Sequence, residues 1–216
     1  MPSVFTPRAL LLDMDGTLVD SSAVVERCWS RWALRQGLEP AAVLEVVHGR
    51  QGHASMALLL PDRPMEQNLA ENARLLAEET ADLDGIRPIP GAPAFLAALA
   101  GRPHALVTSA GEGLALARMR AAGLPLPPVR VTAERVGASK PDPEGFLKGA
   151  AELGFAPGEC LAFEDTGVGI AAARAAGMPV VGVGARAAAH APSAHAPSLE
   201  DVAVTAPGGV LTVTVG

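Results

Sequence analysis

The apolar positions of this chain fall into two rhythms. Short unbroken apolar runs of strand length recur at Arg8 to Asp13, His104 to Val107, Val129 to Val131, Leu161 to Phe163 and Val180 to Val183. Between them lie stretches with helical spacing. Gly113 to Ala122 is a helix stopped by Gly123, and Gly167 to Ala176 is another. A third is expected with Asp142 as N-cap, Pro143 at its first position and Gly154 as its stop. Strands alternating with helices predict an α/β fold: a doubly wound parallel sheet covered on both faces.

One block breaks the alternation. From Ser22 to Asp84 the pattern is almost wholly helical, with Val24, Val25, Cys28, Trp29 and Trp32 on one face and Met65, Leu69, Leu76 and Leu83 on another. Pro40, Gly49, Pro61 and Pro64 divide it into about four helices. At the far end, Ala187 to Ser198 reads as a loop, and Val202 to Thr205 with Val210 to Val215 as a hairpin around Gly208-Gly209.

Composition narrows the function classes. The 216 residues carry a net charge of −6 with no basic block, which argues against a nucleic-acid surface. Aromatics make up 3% and Tyr is absent, so the core must be built from Ala, Leu and Val. Cys28 and Cys160 stand apart, signalling neither a disulfide framework nor a zinc site. No apolar run approaches the roughly 20 residues that span a bilayer, and Met1 to Arg8 lacks the apolar core of a signal peptide. A soluble cytoplasmic protein without a membrane partner is the default expectation. The oligomeric state is left open, with a monomer as the simplest case.

In a parallel sheet, ligands sit beyond the carboxyl ends of the strands. The first strand ends in Asp13 and Asp15, the His104 strand in Thr108-Ser109, and the Leu161 strand in Glu164-Asp165; Lys140 precedes a helix start expected at the same edge. Each has an ordinary reading: a solvated turn, a helix cap, a surface lysine, first-turn acids facing a helix dipole. Together they supply four carboxylates, two hydroxyls and an ammonium, the set that phosphoryl transfer requires. Gly167-Val168-Gly169-Ile170-Ala171-Ala172 mimics a dinucleotide fingerprint, but Glu164-Asp165 would repel a pyrophosphate there.

Asp13-Met14-Asp15-Gly16-Thr17-Leu18-Val19-Asp20, Val107-Thr108-Ser109, Ser139-Lys140-Pro141-Asp142-Pro143 and Phe163-Glu164-Asp165-Thr166-Gly167-Val168-Gly169 resemble, in order, the four motifs of the haloacid dehalogenase superfamily. Val47-His48-Gly49-Arg50, Gly123-Leu124-Pro125 and Val131-Thr132-Ala133-Glu134-Arg135-Val136 further resemble its sugar-phosphate and glycerol-phosphate phosphatase branch. The resemblance implies a Rossmann-like core over residues 1–18 and 89–216, with a small helical cap over 19–88. It implies Asp13 as nucleophile and Asp15 as acid and then base. Mg²⁺ would be held by Asp13, the Asp15 carbonyl and Asp165, with Glu164 supporting it directly or through water. Thr108, Ser109 and Lys140 would hold the phosphoryl oxygens, and His48 and Arg50 would reach the substrate from the cap. Read from the residues alone, His48-Gly49-Arg50 is equally a helix C-terminus. The sequence departs from the family at Glu112, which either repels a substrate phosphate or favours a helix start, and by an extra residue in Gly137-Ala138-Ser139.

The expected function is a Mg²⁺-dependent phosphatase acting on a small phosphorylated sugar or polyol through an aspartyl-phosphate. A phosphosugar mutase using the same Asp13 and a non-catalytic phosphate-ligand sensor are the alternatives.

Overall fold

The computed structural model describes residues 1–216. The chain opens with β1 (Ser3–Phe5), β2 (Ala9–Leu12) and β3 (Val19–Asp20), then passes through α1 (Ser22–Gln36), α2 (Pro40–Val47), α3 (Gly52–Leu59) and α4 (Met65–Ala81). It returns by β4 (Arg87–Pro88) to α5 (Ala92–Ala98), β5 (His104–Val107), α6 (Glu112–Ala121), β6 (Val129–Val131) and α7 (Glu144–Leu153). β7 (Cys160–Glu164), α8 (Gly167–Ala175), β8 (Val180–Val183), α9 (Gly184–Ala188), β9 (Ala194–Ala196), β10 (Val202–Thr205) and β11 (Thr212–Val215) complete it.

Six parallel strands form the main sheet in the order β6-β5-β2-β7-β8-β9. All four residues of β2 are buried, as befits a central strand covered on both faces. Their side chains alternate: Leu10 and Leu12 join one apolar cluster with Phe95 and Phe163, Ala9 and Leu11 the opposite one with Phe146 and Ile170. Register then sets the site. Leu12 pairs with both Leu106 and Phe163, so Asp13, Val107 and Glu164 come level at one edge of the sheet.

The helical block has the four helices its pattern predicts, and α1–α4 pack around their own cluster, which includes Val24, Cys28, Trp32, Val43, Met56 and Leu75. Trp32 is fully buried, with Trp29 edge-on at 5.3 Å between ring centroids. At the base of the block the two chain passages pair as β3 and β4, Val19 with Pro88 and Asp20 with Arg87.

Three local expectations change. Helix α7 starts one residue later than the Pro143 reading, so Pro143 takes the N-cap position and Asp142 lies just outside it, where its Oδ1 still accepts from the Glu144 N–H at 2.9 Å. The segment Ala187 to Ser198 is not all loop. It holds the end of α9 and the edge strand β9, whose buried Ala194 and Ala196 flank exposed His195. Alternation is present there, but alanine signals a strand face weakly. The terminal hairpin forms as β10 and β11, and β1 adds to it as a third antiparallel strand, Ser3 opposite Val215. No helix is long and apolar enough to cross a membrane.

Candidate active site

The edge where β2, β5 and β7 end carries a charged cluster under the helical block. After Leu12 the chain turns sharply: the Met14 carbonyl accepts from the N–H groups of Thr17, Leu18 and Val19. Gly16 takes φ +85 in this turn, and a Cβ there would run into the Asp165 carboxylate. The position therefore demands glycine for both conformation and space. The turn leaves Asp13 and Asp15 beside one cleft, whose empty space is about 750 Å³ including its mouth.

Lys140 ties the cluster together. Its ammonium donates to Asp13 Oδ1 at 2.6 Å, to Glu164 Oε1 at 2.5 Å and to the Val107 carbonyl at 3.2 Å. Glu164 is saturated on its other side as well, since Oε2 accepts from the N–H groups of Asp165 and Thr166 and the Thr166 hydroxyl, each at 3.0 Å. A Cβ on Gly169 would collide with the Glu164 carboxylate, which is why the first turn of α8 carries glycine there. Asp165 is the opposite case. Both its oxygens are buried without a hydrogen-bond partner, although Arg186 Nη2 lies 3.2 Å from Oδ2 outside hydrogen-bonding geometry.

The charge balance favours a cation. Oxygens of Asp13, Glu164 and Asp165 all lie within 4.8 Å of one another, three buried carboxylates against the buried Lys140 ammonium. Burial, and then the Glu164 charge, raise Asp13 to about 7 despite Lys140. Burial, Glu164 and Asp13 push Asp165 well above the usual carboxylate range. Burial alone would lower Lys140, but the Asp13 and Glu164 carboxylates raise it further, so it stays charged. An all-oxygen donor set with two orphaned carboxylate oxygens fits a hard divalent ion such as Mg²⁺.

The other residues singled out from sequence gather here too. Thr108 Oγ1 accepts from the Ala110 N–H at 3.0 Å and lines the cleft. The Ser109 hydroxyl donates to the Gly49 carbonyl at 2.9 Å, so it holds the helical block in this arrangement. Helix α2 does stop at Val47, as the C-terminus reading of His48-Gly49-Arg50 requires, but the segment also docks on the core. Arg50 Nη1 reaches the Lys140 carbonyl at 3.4 Å, the Gln51 N–H donates to Ser139 Oγ at 2.9 Å, and Gln51 Nε2 to the Ala133 carbonyl at 3.3 Å. His48 lines the cleft; burial, and then the Arg186 cation, lower its pKa to about 4. Glu112 opens α6 and pairs with Arg130 at 3.1 Å, consistent with a helix-start role.

Sequence reasoning missed three charged residues that line the cleft: Arg118, Glu79 and Arg186, the last beside Asp165. Arg118 of α6 is buried, with Nη1 at 2.8 Å from Asp15 Oδ2 and Nη2 at 2.8 Å from Glu79 Oε2 of α4. For Arg118 and Glu79 the signal appears only once the burial of their helix faces is known. Arg118 falls on the buried stripe Leu114, Ala115, Met119, and Glu79 follows buried Leu75 by one turn. A charge inside an apolar stripe needs a partner.

Residues 7–177 match the family of haloacid dehalogenase-like hydrolases, and the chain belongs to that family. Hexitol phosphatase A of Escherichia coli (strain K12) is 46% identical over 182 residues, covering 83% of this chain and 84% of that one. The fructose-1-phosphate phosphatase YqaB of the same organism is 29% identical over 178 residues, 81% of this chain and 95% of that one. Among solved structures, β-phosphoglucomutase from Clostridium difficile superposes with a TM-score of 0.79 at 21% identity, covering 89% of this chain and 92% of that chain; this likeness is one of fold. Family and relatives together make this chain an enzyme of the phosphatase class.

Proposed function

We propose that this enzyme is a Mg²⁺-dependent phosphatase of small sugar or polyol phosphates, working through an aspartyl-phosphate on Asp13, with the block 19–88 as its cap. The observation that carries the reading is the buried Asp13–Lys140–Glu164–Asp165 cluster with Asp15 at the same cleft. Asp13, the Asp15 carbonyl and Asp165 would hold Mg²⁺. Bound there, the ion would offset the charge of a phosphate dianion beside a carboxylate nucleophile. Glu164, its oxygens taken, acts as the brace that aims Lys140 and the start of α8.

The residues divide the work. An Asp13 oxygen attacks phosphorus as the bond to the substrate oxygen breaks, and Asp15 gives its proton to the departing alkoxide. The ionised Asp15 then takes a proton from water as that water attacks the aspartyl-phosphate, which releases phosphate and restores Asp13. Lys140 and Thr108 hold phosphoryl oxygens. The docked segment His48 to Gln51 covers the site and limits stray water.

The substrate class rests on the cleft and the relatives. Trp29 and Asn72 line it from the helical side and Arg50 from the docked segment, a wall suited to hydroxyls. The two relatives named above act on a hexitol phosphate and on fructose 1-phosphate by their names. Phosphate release should be measured across sugar, polyol and nucleotide monophosphates with Mg²⁺ and with EDTA. Release confined to sugar and polyol esters, and only with metal, is expected. An isomerised sugar phosphate in place of free phosphate would overturn the phosphatase assignment.

A further inference from the structure

Arg118 is a buried guanidinium that the chemistry above leaves unused. It sits between a carboxylate of the core, Asp15, and one of the helical block, Glu79. We propose that Arg118 is a positioning residue for Asp15 and that Glu79 completes it, so that the acid/base carboxylate is aimed only when the cap sits on the core. The inference rests on the phosphatase reading above.

The two oxygens of Asp15 are treated differently. Oδ2 accepts from Arg118 Nη1 at 2.8 Å, whereas Oδ1 is shielded from solvent and has no partner. With Oδ2 pinned, Oδ1 is the oxygen left to hand a proton to the departing alkoxide and to take one from water. Asp15 needs such a hold. It stands in a tight turn with its side chain 28% exposed, whereas the Arg118 side chain is 3% exposed and fixed on α6.

Glu79 explains why Arg118 does not take both Asp15 oxygens. A guanidinium favours the two-pronged grip on one carboxylate. Here its second prong is drawn to Glu79 Oε2 at 2.8 Å. Glu79 is buried, so its charge has to be matched at that place. When the cap moves away, α4 carries Glu79 with it into water. Arg118 is then free to turn and grip Asp15 through both oxygens, which occupies the oxygen the chemistry uses. Cap closure thereby releases Oδ1.

A purely structural ion pair would make a different prediction, and leaving-group dependence separates the two. An alkyl phosphate needs Asp15 to protonate its alkoxide; p-nitrophenyl phosphate does not. The ratio kcat/KM covers only the steps through leaving-group departure, so the later use of Asp15 as base drops out. The full-length enzyme with Mg²⁺ is assayed on a hexitol phosphate and on p-nitrophenyl phosphate. Arg118→Met should lose at least about thirtyfold more kcat/KM on the hexitol phosphate than on the aryl ester, a large part of the roughly hundredfold or more that a general acid contributes. Arg118→Lys keeps a charge on Asp15 but cannot hold both acids, and should recover part of that bias. Glu79→Gln should show a bias of the same sign, about threefold. If Arg118→Met does not fold, as judged by circular dichroism, the Arg118→Lys and Glu79→Gln biases decide. Equal losses on both esters, with wild type active on both, would overturn the positioning role alone. Wild type inactive on both would overturn the phosphatase reading and this inference with it.

Discussion

Glu164 and Asp165 are neighbours in sequence and differ wholly in employment. The first spends its oxygens on Lys140 and the start of α8; the second keeps both oxygens without hydrogen bonds. Asp165→Asn should therefore weaken Mg²⁺ binding by at least about tenfold in titration calorimetry, the loss of one hard ligand. Glu164→Gln should weaken it less but lower the melting temperature more, because it unbalances the buried Lys140. The reverse order would reassign the ligand. Asp13→Asn should abolish turnover while leaving the fold intact, since an amide is a poor nucleophile; steady-state phosphate release at the wild-type rate would remove Asp13 from that role. The acids were legible because they follow apolar runs at strand ends, and Lys140 because it precedes a helix start expected at the same edge. Arg118 and Glu79 were not, because each looks like an ordinary surface charge on a helix until the stripe it falls on is known to be buried.

Elements were legible where the apolar rhythm is strong and faded where it is thin. The five sheet strands β2, β5, β6, β7 and β8 and the four helices of the block carry Leu, Val, Phe or Trp on one period. Strand β9 offers only Ala194 and Ala196 to the core, and β1 is three residues between prolines, so neither stands out. The segment between α2 and α3 was legible as a break but not as one docked on the core; that depends on Ser109, Ser139 and Lys140, which are distant in sequence. Two outcomes belong to this segment. Arg50→Ala should lower kcat/KM on a sugar phosphate by at least about tenfold, one charge-assisted contact, and affect p-nitrophenyl phosphate much less. Equal loss on both esters, tracking the melting temperature, would leave Arg50 only a helix-end role. The second outcome concerns pH. His48 is held neutral in the fold, its pKa lowered from 6.5 to about 4. Between those values the unfolded chain takes up a proton that the folded one refuses. The stability tied to neutral His48 is therefore fully present above pH 6.5 and is lost as pH falls toward about 4. Relative to His48→Asn, wild type should lose on the order of 1–2 kcal/mol over that window, after allowance for solvent screening. Parallel melting-temperature profiles for the two proteins would refute the burial of His48 as its cause.

At the scale of the whole molecule, the core and the helical block have separate apolar clusters, and much of what joins them at the cleft is polar. A block with its own core can move as a unit, while the acid cluster stays with the rigid sheet edge. The effect of an added divalent ion should then fall on the core, whatever the position of the helical block. Burial and mutual repulsion hold Asp13 and Asp165 above the usual carboxylate range, an electrostatic load that a bound divalent cation would relieve. Because the unfolded chain does not assemble the cluster, Mg²⁺ should raise the melting temperature in proportion to the logarithm of its concentration above Kd. EDTA should remove both this shift and turnover. Ca²⁺ fits the oxygen donors but has a larger, looser shell, so it should raise the melting temperature while inhibiting phosphate release, because Asp13 is no longer held in line with phosphorus. Thermal melts and phosphate release on the same samples distinguish binding from productive alignment. Full activity in excess EDTA, or a melting temperature indifferent to both ions, would show that the cluster is not a metal site.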